Sequence, residues 1–506
     1  MSSIQQEQAN RGVLVIYTGG TIGSAPRDPE DPDSPQVVVT WDDLKDATPE
    51  LQQLEKQGCR IDCFSFKNAL DSCNVGPNEW ALMAQTIADH YEEYEGFVIL
   101  HGTDTMVYSA SALSFILQDL SKPVVLTGAQ RSALVDVRND ATQNFITAIL
   151  IANPRFSRLP VVPEVIICFG GKLLRGARAV KYDTSGYTAY QSPNLEPLGE
   201  AGDRIVINEN LVRPLPAAER RFHIRTRLEK NVMPVFIYPG IPTVLVEKQL
   251  SLPDLRAVVV QSFGTGNIPT RPDLLEVFRR AREERSIILA NVSQCRRGPV
   301  ELGIYETSAE LLEAGFVAAS DITVEAAQCK LMTLLGDPDI QVEEVEQEFQ
   351  VSKVGEQSIS QFVTHLEGQP KKVDLQDSSE QPGRQRLPGR PLVGQWNPQR
   401  LDRALLRLRH AQITSANLEQ AVAFRVFVNL DPDEPANDDH PSLMGHFKKW
   451  PMAKPGLVVF DATKVLRSIG KPGERVSFTL IGDTPGGSLS WERAELALFI
   501  RETGRE

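Results

Sequence analysis

No apolar run in these 506 residues approaches the roughly 20 needed to cross a bilayer, so no membrane span is expected. The opening MSSIQQEQANRG lacks the basic and then apolar layout of a secretion leader, and a cytoplasmic protein is the expectation. Cysteine is sparse: six residues, at 59, 63, 73, 168, 295 and 329, with no CxxC pair. That argues against a zinc site or a disulfide framework, and Cys59 and Cys63 read instead as packing residues on one face of a strand. Basic side chains are outnumbered, 53 against 66, and a formal charge of −13 repels a phosphate backbone. Nucleic acid is therefore set aside as a partner, leaving small molecules and proteins; neither cofactor nor metal is expected. No repeat period is evident.

From residue 13 to about 200, short β-branched runs alternate with amphipathic segments, the pattern of a parallel sheet covered by helices. Val13–Tyr17, Gly96–Leu100, Pro123–Leu126 and Val165–Phe169 are the expected strands, and Asn78–Tyr94 and Thr105–Leu120 the expected helices, with Asp104 placed to cap the second. A second α/β region follows, with strands at Met233–Tyr238, Ala257–Ser262 and Ser286–Val292 and helices near Asp273–Glu284 and Thr323–Leu335. Beyond it VEEVEQEFQ, residues 342 to 350, reads as the solvated face of a terminal helix. The stretch from about 368 to 400 is rich in Pro, Gly, Gln and charge and reads as a linker. Val422–Leu430, Gly456–Phe460 and Arg475–Ile481 then alternate like half-buried antiparallel strands of a β-sandwich. The expected division is an α/β domain over 11–205, a connector over 206–229, a second α/β domain over 230–350, a linker over 351–404 and a sandwich over 405–506.

Several strands end in a polar, glycine-containing stretch: TGGTIG at 18–23, HGTDT at 101–105, TGAQR, SFGTGN and NVSQC. In open parallel sheets ligands bind beyond the carboxyl ends of the strands, so chemistry is sought in these loops. Glycines there let the backbone turn and approach a ligand closely, while a threonine hydroxyl can either bond the turn or attack a substrate. Likewise Asp104 and Thr105 can simply cap a helix. The residues alone leave both readings open.

Taken together, TGGTIG and HGTDTM resemble the paired signature of the type I, cytoplasmic, bacterial-type asparaginases, a resemblance extended by DSCNVGPNEW (71–80), LLRGARAVKYD (173–183), SPNLEPL (192–198), SFGTGNIP (262–269) and SQC with ITVEAAQCKL (293–331). It covers about residues 11 to 340 and implies a two-domain α/β fold. It also implies hydrolysis of L-asparagine to aspartate and ammonia, without a cofactor, in a homodimer or homotetramer. By resemblance Thr21 is the nucleophile that forms an acyl-enzyme, and Thr18 is a turn residue. Thr103 supplies the second hydroxyl and Lys181 pairs with Asp104 behind it. Asp104 also receives the substrate ammonium, and Ser72 the α-carboxylate. An amide is a poor electrophile, so such a nucleophile, a proton acceptor and oxyanion donors are what its hydrolysis needs. The family does not use a residue at His101, and a hydrogen-bonded structural histidine is expected there.

The chain departs from the pattern in places. The loop after the nucleophile, SAPRDPEDPDSPQVVVTW, holds no tyrosine, and Gln36 falls near the position where many members have one. Either another group activates Thr21 or the loop closes differently. The family's serine pair has become Ser72-Cys73. Of a regulatory asparagine site known in some type I members, Cys295 matches, but Gln261 replaces an arginine and Val180 a threonine, so substrate-driven allostery is expected to be weak or absent. Glutamine, another small amide or an ester remain alternative substrates, and a non-catalytic asparagine-binding assembly protein remains an alternative role. The carboxy-terminal region resembles the β-sandwich at the end of plant polyphenol oxidases. The copper-binding histidine helices of those enzymes are absent, so no oxidase chemistry follows; an interaction or assembly role is expected. His440 and His446 read as exposed loop histidines.

Overall fold

The computed structural model describes residues 12–502 except 29, 32–33, 136, 304–305, 367–371, 375–383, 389–396, 416, 470–474 and 485. The leader reading of the first eleven residues and most of the 368–400 linker reading lie outside the described residues. Among the described residues, no helix is long and apolar enough to cross a membrane.

The amino-terminal domain is an eight-stranded sheet. Its parallel part runs, in spatial order, Ile61–Leu70, Val13–Gly19, Gly96–Leu100, Val124–Thr127 and Val165–Phe169. Three antiparallel strands, Lys172–Arg175, Gly199–Ala201 and Ile205–Ile207, complete it on the side of Val165–Phe169. The second domain is a four-stranded parallel sheet, Val232–Phe236, Ala257–Ser262, Ile288–Ser293 and Phe316–Ala318. The central strands are buried on both faces, which is why they read as unbroken β-branched runs.

The helix Met106–Ile116 is buried at every position but Tyr108 and packs against the helix Val324–Gly336 of the second domain. A helix apolar all round is stable only where neighbours surround it. One hydrophobic cluster accordingly runs through both domains, from Ile16 and Ile99 to Ala290 and Leu331.

The third unit is an antiparallel sandwich of a six-stranded and a four-stranded sheet closed over its own core of Leu406, Phe424, Phe460, Phe478 and Leu496. It begins earlier than composition suggests. Its strand Ile359–Leu366, inside the expected 351–404 linker, pairs antiparallel with Arg493–Arg501. Residues 351–358 are likewise gripped by the α/β core: the fully buried Lys330 meets the fully buried Glu356 at 2.5 Å, and Arg178 donates to Glu356 O and Ser358 Oγ. VSKVGEQS reads as linker because its partners are distant in sequence, and local polarity carries no trace of them. The longest strand, Leu401–Ser415, was also not legible, since Arg403, Arg407 and Arg409 break its alternation. Arg407 and Arg409 turn onto the buried Glu495 instead.

Cys59 precedes the strand Ile61–Leu70 rather than sharing it with Cys63. The acidic run splits into Val342–Glu344 and Val345–Gln350, and its second half buries Val345, Phe349 and Gln350. The sandwich leans on the second domain through Arg403–Glu301, His410–Glu313 at 3.3 Å and Lys454–Glu310 at 3.0 Å.

Candidate active site

Three loops meet at the carboxyl end of the amino-terminal sheet with backbone packed on backbone. Gly20 has φ 90°, and a Cβ there would fall 2.6 Å from the amide nitrogen of Gly102. A Cβ on Gly102 would in turn lie 2.7 Å from that of Ser72. Neither glycine tolerates a side chain, so TGGTIG, HGTDT and the Ser72 turn are drawn together by the absence of side chains at these two contacts.

The two threonines of TGGT separate clearly. Thr18 is buried and its hydroxyl donates to Leu100 O at 2.8 Å, tying neighbouring strands. Thr21 begins the short 3₁₀ turn Thr21–Gly23 and is exposed on a cleft of about 890 Å³. Ser72, Thr103 and Asp104 line the same cleft, and so does Gln36, on the hairpin Ser24–Pro26/Gln36–Val38 that follows the turn. The hydroxyl of Tyr17 donates to Gly23 O and Val39 O, fixing the base of that hairpin.

Lys181, on the strand Val180–Lys181, stands behind two of these cleft residues. Its Nζ donates to Thr103 Oγ1 at 2.9 Å and to Asp104 Oδ1 at 2.5 Å. The lysine side chain is 15% exposed and the aspartate 69%. The pair is thus anchored from behind while the carboxylate keeps a face toward solvent. A sheltered amine within hydrogen-bond reach of a hydroxyl can take up or return its proton, and the adjacent carboxylate balances the charge.

The capping reading fails here. The helix starts at Met106 with Thr105 at its N-cap, and neither Asp104 nor Thr105 caps it with a side chain. Thr105 Oγ1 donates to Ser72 O at 2.5 Å, while the Asp104 amide donates to Ser72 Oγ at 3.3 Å. These bonds lock the Ser72 turn to the HGTDT loop.

The fold also brings further residues to the cleft. Tyr190 is buried and donates to Thr103 O at 2.5 Å; burial, reinforced by the negative charge of Asp104, pushes its phenol far above the ordinary value. Gln130, Arg131 and Ser132 form the far wall. Their loop is held by Asp140, which accepts from the amides of Gln130 and Arg131 at 3.0 Å. A shared loop can be guessed from TGAQR; its anchor in RND cannot.

The residues matched to a regulatory site lie elsewhere. Val180 is buried beside Lys181, Gln261 is the next-to-last residue of the strand Ala257–Ser262, and Cys295 is exposed just beyond the neighbouring strand Ile288–Ser293. Gln294 donates to Gln261 O at 2.8 Å, and Asn194 accepts from Gly298 N at 2.9 Å, joining this loop to the first domain.

His101 sits directly behind the site in a buried relay. Trp80 Nε1 donates to Ser109 Oγ at 2.9 Å, Ser109 lies 2.9 Å from His101 Nε2, and Nδ1 lies 2.7 Å from Gly102 O. Burial pulls the imidazole down to about 4, so it is neutral at pH 7 and donates from Nδ1. A folded value below the unfolded one of about 6.5 means that this contribution is complete above pH 6.5 and is lost as the pH falls toward 4. On the order of 3 kcal/mol disappears over that window. Melting temperatures between pH 4 and 7 are expected to fall more steeply for the wild type than for His101→Gln.

Two family profiles match the chain: "Asparaginase, N-terminal" over residues 12–213 and "Glutaminase/Asparaginase C-terminal domain" over 231–349. L-asparaginase 1 of Escherichia coli K12 is 36% identical over 327 residues, covering 64% of this chain and 92% of its own. The 60 kDa lysophospholipase of Homo sapiens is 41% identical over 273 residues, 54% of this chain but only 46% of its own, so the chain spans about half the length of that relative. The crystal structure of L-asparaginase I from Vibrio cholerae aligns with a TM-score of 0.61 at 34% identity, covering 69% of this chain and 99% of the other. The second profile match ends at residue 349, ahead of the sandwich.

Proposed function

Because this chain belongs to the type I, bacterial-type asparaginase family, we propose that it is an amidohydrolase converting L-asparagine to aspartate and ammonia through an acyl-enzyme on Thr21. The observation that carries the reading is the contact of Lys181 Nζ with both Thr103 Oγ1, at 2.9 Å, and Asp104 Oδ1, at 2.5 Å, on a cleft that Thr21 also faces. Asparagine lies with its side-chain amide toward Thr21. Its ammonium meets Asp104 and its α-carboxylate meets the Ser72 turn.

Thr21 attacks the amide carbon and its proton passes to the Thr103–Lys181 pair. That pair then protonates the departing ammonia, and water delivered along the same path clears the ester. Gripping both charged ends selects a free amino acid, since an internal protein amide carries neither charge. Under this reading the chain works in the cytoplasm as a homodimer or homotetramer, and its sandwich offers a surface for a protein partner.

The likeness to a protein named lysophospholipase supports a second reading, ester hydrolysis by the same hydroxyl. Ammonia release from L-asparagine and L-glutamine, measured beside fatty-acid release from lysophosphatidylcholine, separates them. The expected result is a kcat/KM for asparagine at least tenfold above that for glutamine, and no fatty acid. Fatty acid without ammonia would replace the first reading by the second.

A further inference from the structure

A second cleft lies at the other end of the same sheet. It is about 410 Å³ and opens at Glu164 and Val165, where the strand Val165–Phe169 begins, under the connector that carries Arg213 to Arg220. Its volume falls in the range of small-molecule sites, which combine apolar walls with a few placed polar groups. Most of the lining is polar; its apolar part is Leu117, Leu120, Pro163 and Leu215, and the two prolines flanking Leu215, Pro214 and Pro216, stiffen the connector side.

Four cations stand on the wall, and three are already matched. Arg175 binds Glu164 at 2.5 Å, Arg220 binds Asp119 at 3.1 Å, and Lys353 pairs with Glu348. Arg213 is the exception. Its side chain donates to Lys353 O at 2.9 Å, and its backbone amide takes Glu164 Oε1 at 2.7 Å. Among the described residues no carboxylate lies within ion-pair distance of its guanidinium. Burial depresses that guanidinium below its usual value against the pull of Glu164 and the more remote Glu356 and Glu502, each already paired with another cation, with the Arg175 charge adding to the fall. A half-buried, surplus cation is costly unless an anion joins it.

We propose that this cleft binds a small organic monoanion, with a carboxylate on the Arg213 guanidinium and an apolar body against Leu117, Leu120 and Leu215. One unmatched charge calls for a monoanion rather than a dianion, and the planar guanidinium fork suits a carboxylate. The ligand ties the connector to the sheet at a distance from Thr21, so it acts by stabilising the folded chain rather than by entering the reaction.

The test is calorimetric titration of the full chain with sodium hexanoate, hexanol and inorganic phosphate. Saturable one-site binding of hexanoate is expected at millimolar concentration or tighter, with at least tenfold weaker binding of hexanol and phosphate. Arg213→Met is expected to lose at least tenfold in hexanoate affinity. Leu215→Trp, which fills the mouth from an exposed position, is expected to do the same and decides the matter if Arg213→Met does not fold. No saturable heat overturns the proposal, as does equal binding by hexanol or phosphate. So does an affinity kept in the Arg213 and Leu215 variants but lost in Ser72→Ala, which would put the anion in the catalytic cleft.

Discussion

Thr21→Ala is expected to release ammonia from L-asparagine at least about 10³-fold more slowly than the wild type, the scale on which removing a covalent nucleophile acts. The fold gives little reason for any other effect. Thr21 is exposed, and the turn that holds it is closed by Gly23 N to Gly20 O at 3.2 Å and by Ser24 Oγ to Gly20 O at 3.0 Å, with no part taken by the Thr21 side chain. Asparagine should therefore still raise the melting temperature of the variant, since ligand binding stabilises a protein whether or not chemistry follows.

Thr18→Ala makes the informative contrast. It deletes the buried bond to Leu100 O and should cost roughly 1 kcal/mol of stability while leaving kcat within a few-fold of wild type. Steady-state ammonia assays with thermal denaturation measure both variants. Wild-type turnover by Thr21→Ala would remove the acyl-threonine mechanism. Loss of asparagine-induced stabilisation together with turnover would make Thr21 a binding residue instead.

The second large effect is expected far from the cleft. Lys330→Met should destabilise the α/β core by about 3–5 kcal/mol, because it strands a buried carboxylate. Lys330 and Glu356 are both fully buried, and the ammonium also donates to Phe349 O at 2.7 Å and Val351 O at 2.8 Å. Burial by itself would raise the Glu356 carboxyl. The Lys330 charge and the amide donors of the 353–356 turn overcome it and hold the group below its ordinary value.

Removing the lysine deletes the attraction and leaves the desolvation. A fall of about 4–7 °C in the melting transition of the α/β core is expected for a unit of this size. Lys330→Met/Glu356→Gln should recover a large part of it, because no charge is then left unpaired. A loss below about 1 kcal/mol in the single variant would mean that residues 351–358 peel from the core readily, as a true linker would.

These expectations divide along what each residue depends on. The TGGTIG and HGTDT loops were legible as turns because their constraints are local, while the choice of Thr21 over Thr18 rested on family resemblance. A strand ending in a glycine pair must turn sharply, and the motif spacing survives whatever the rest of the chain does. The central strands were equally plain, since burial on both faces leaves an apolar run that needs no partner to be recognised. Lys181 was reachable only through family resemblance, because it stands 77 residues from the carboxylate it binds. Nothing in RAVKYD states that its amine points at a threonine.

Sequence by itself thus determined the two α/β sheets, the alternating pattern of the sandwich and the place of the glycine loops, all through periodicity and backbone geometry acting over a few residues; the roles of the threonines in those loops came from family resemblance. Tertiary structure alone decided that neither Asp104 nor Thr105 caps the helix with its side chain, that Tyr190 and Asp140 brace the cleft, and that 351–366 belongs to the folded body. Those outcomes rest on burial of charges and hydroxyls contributed by remote segments. The free energy of such a contact depends on its surroundings, which no window of neighbouring residues contains.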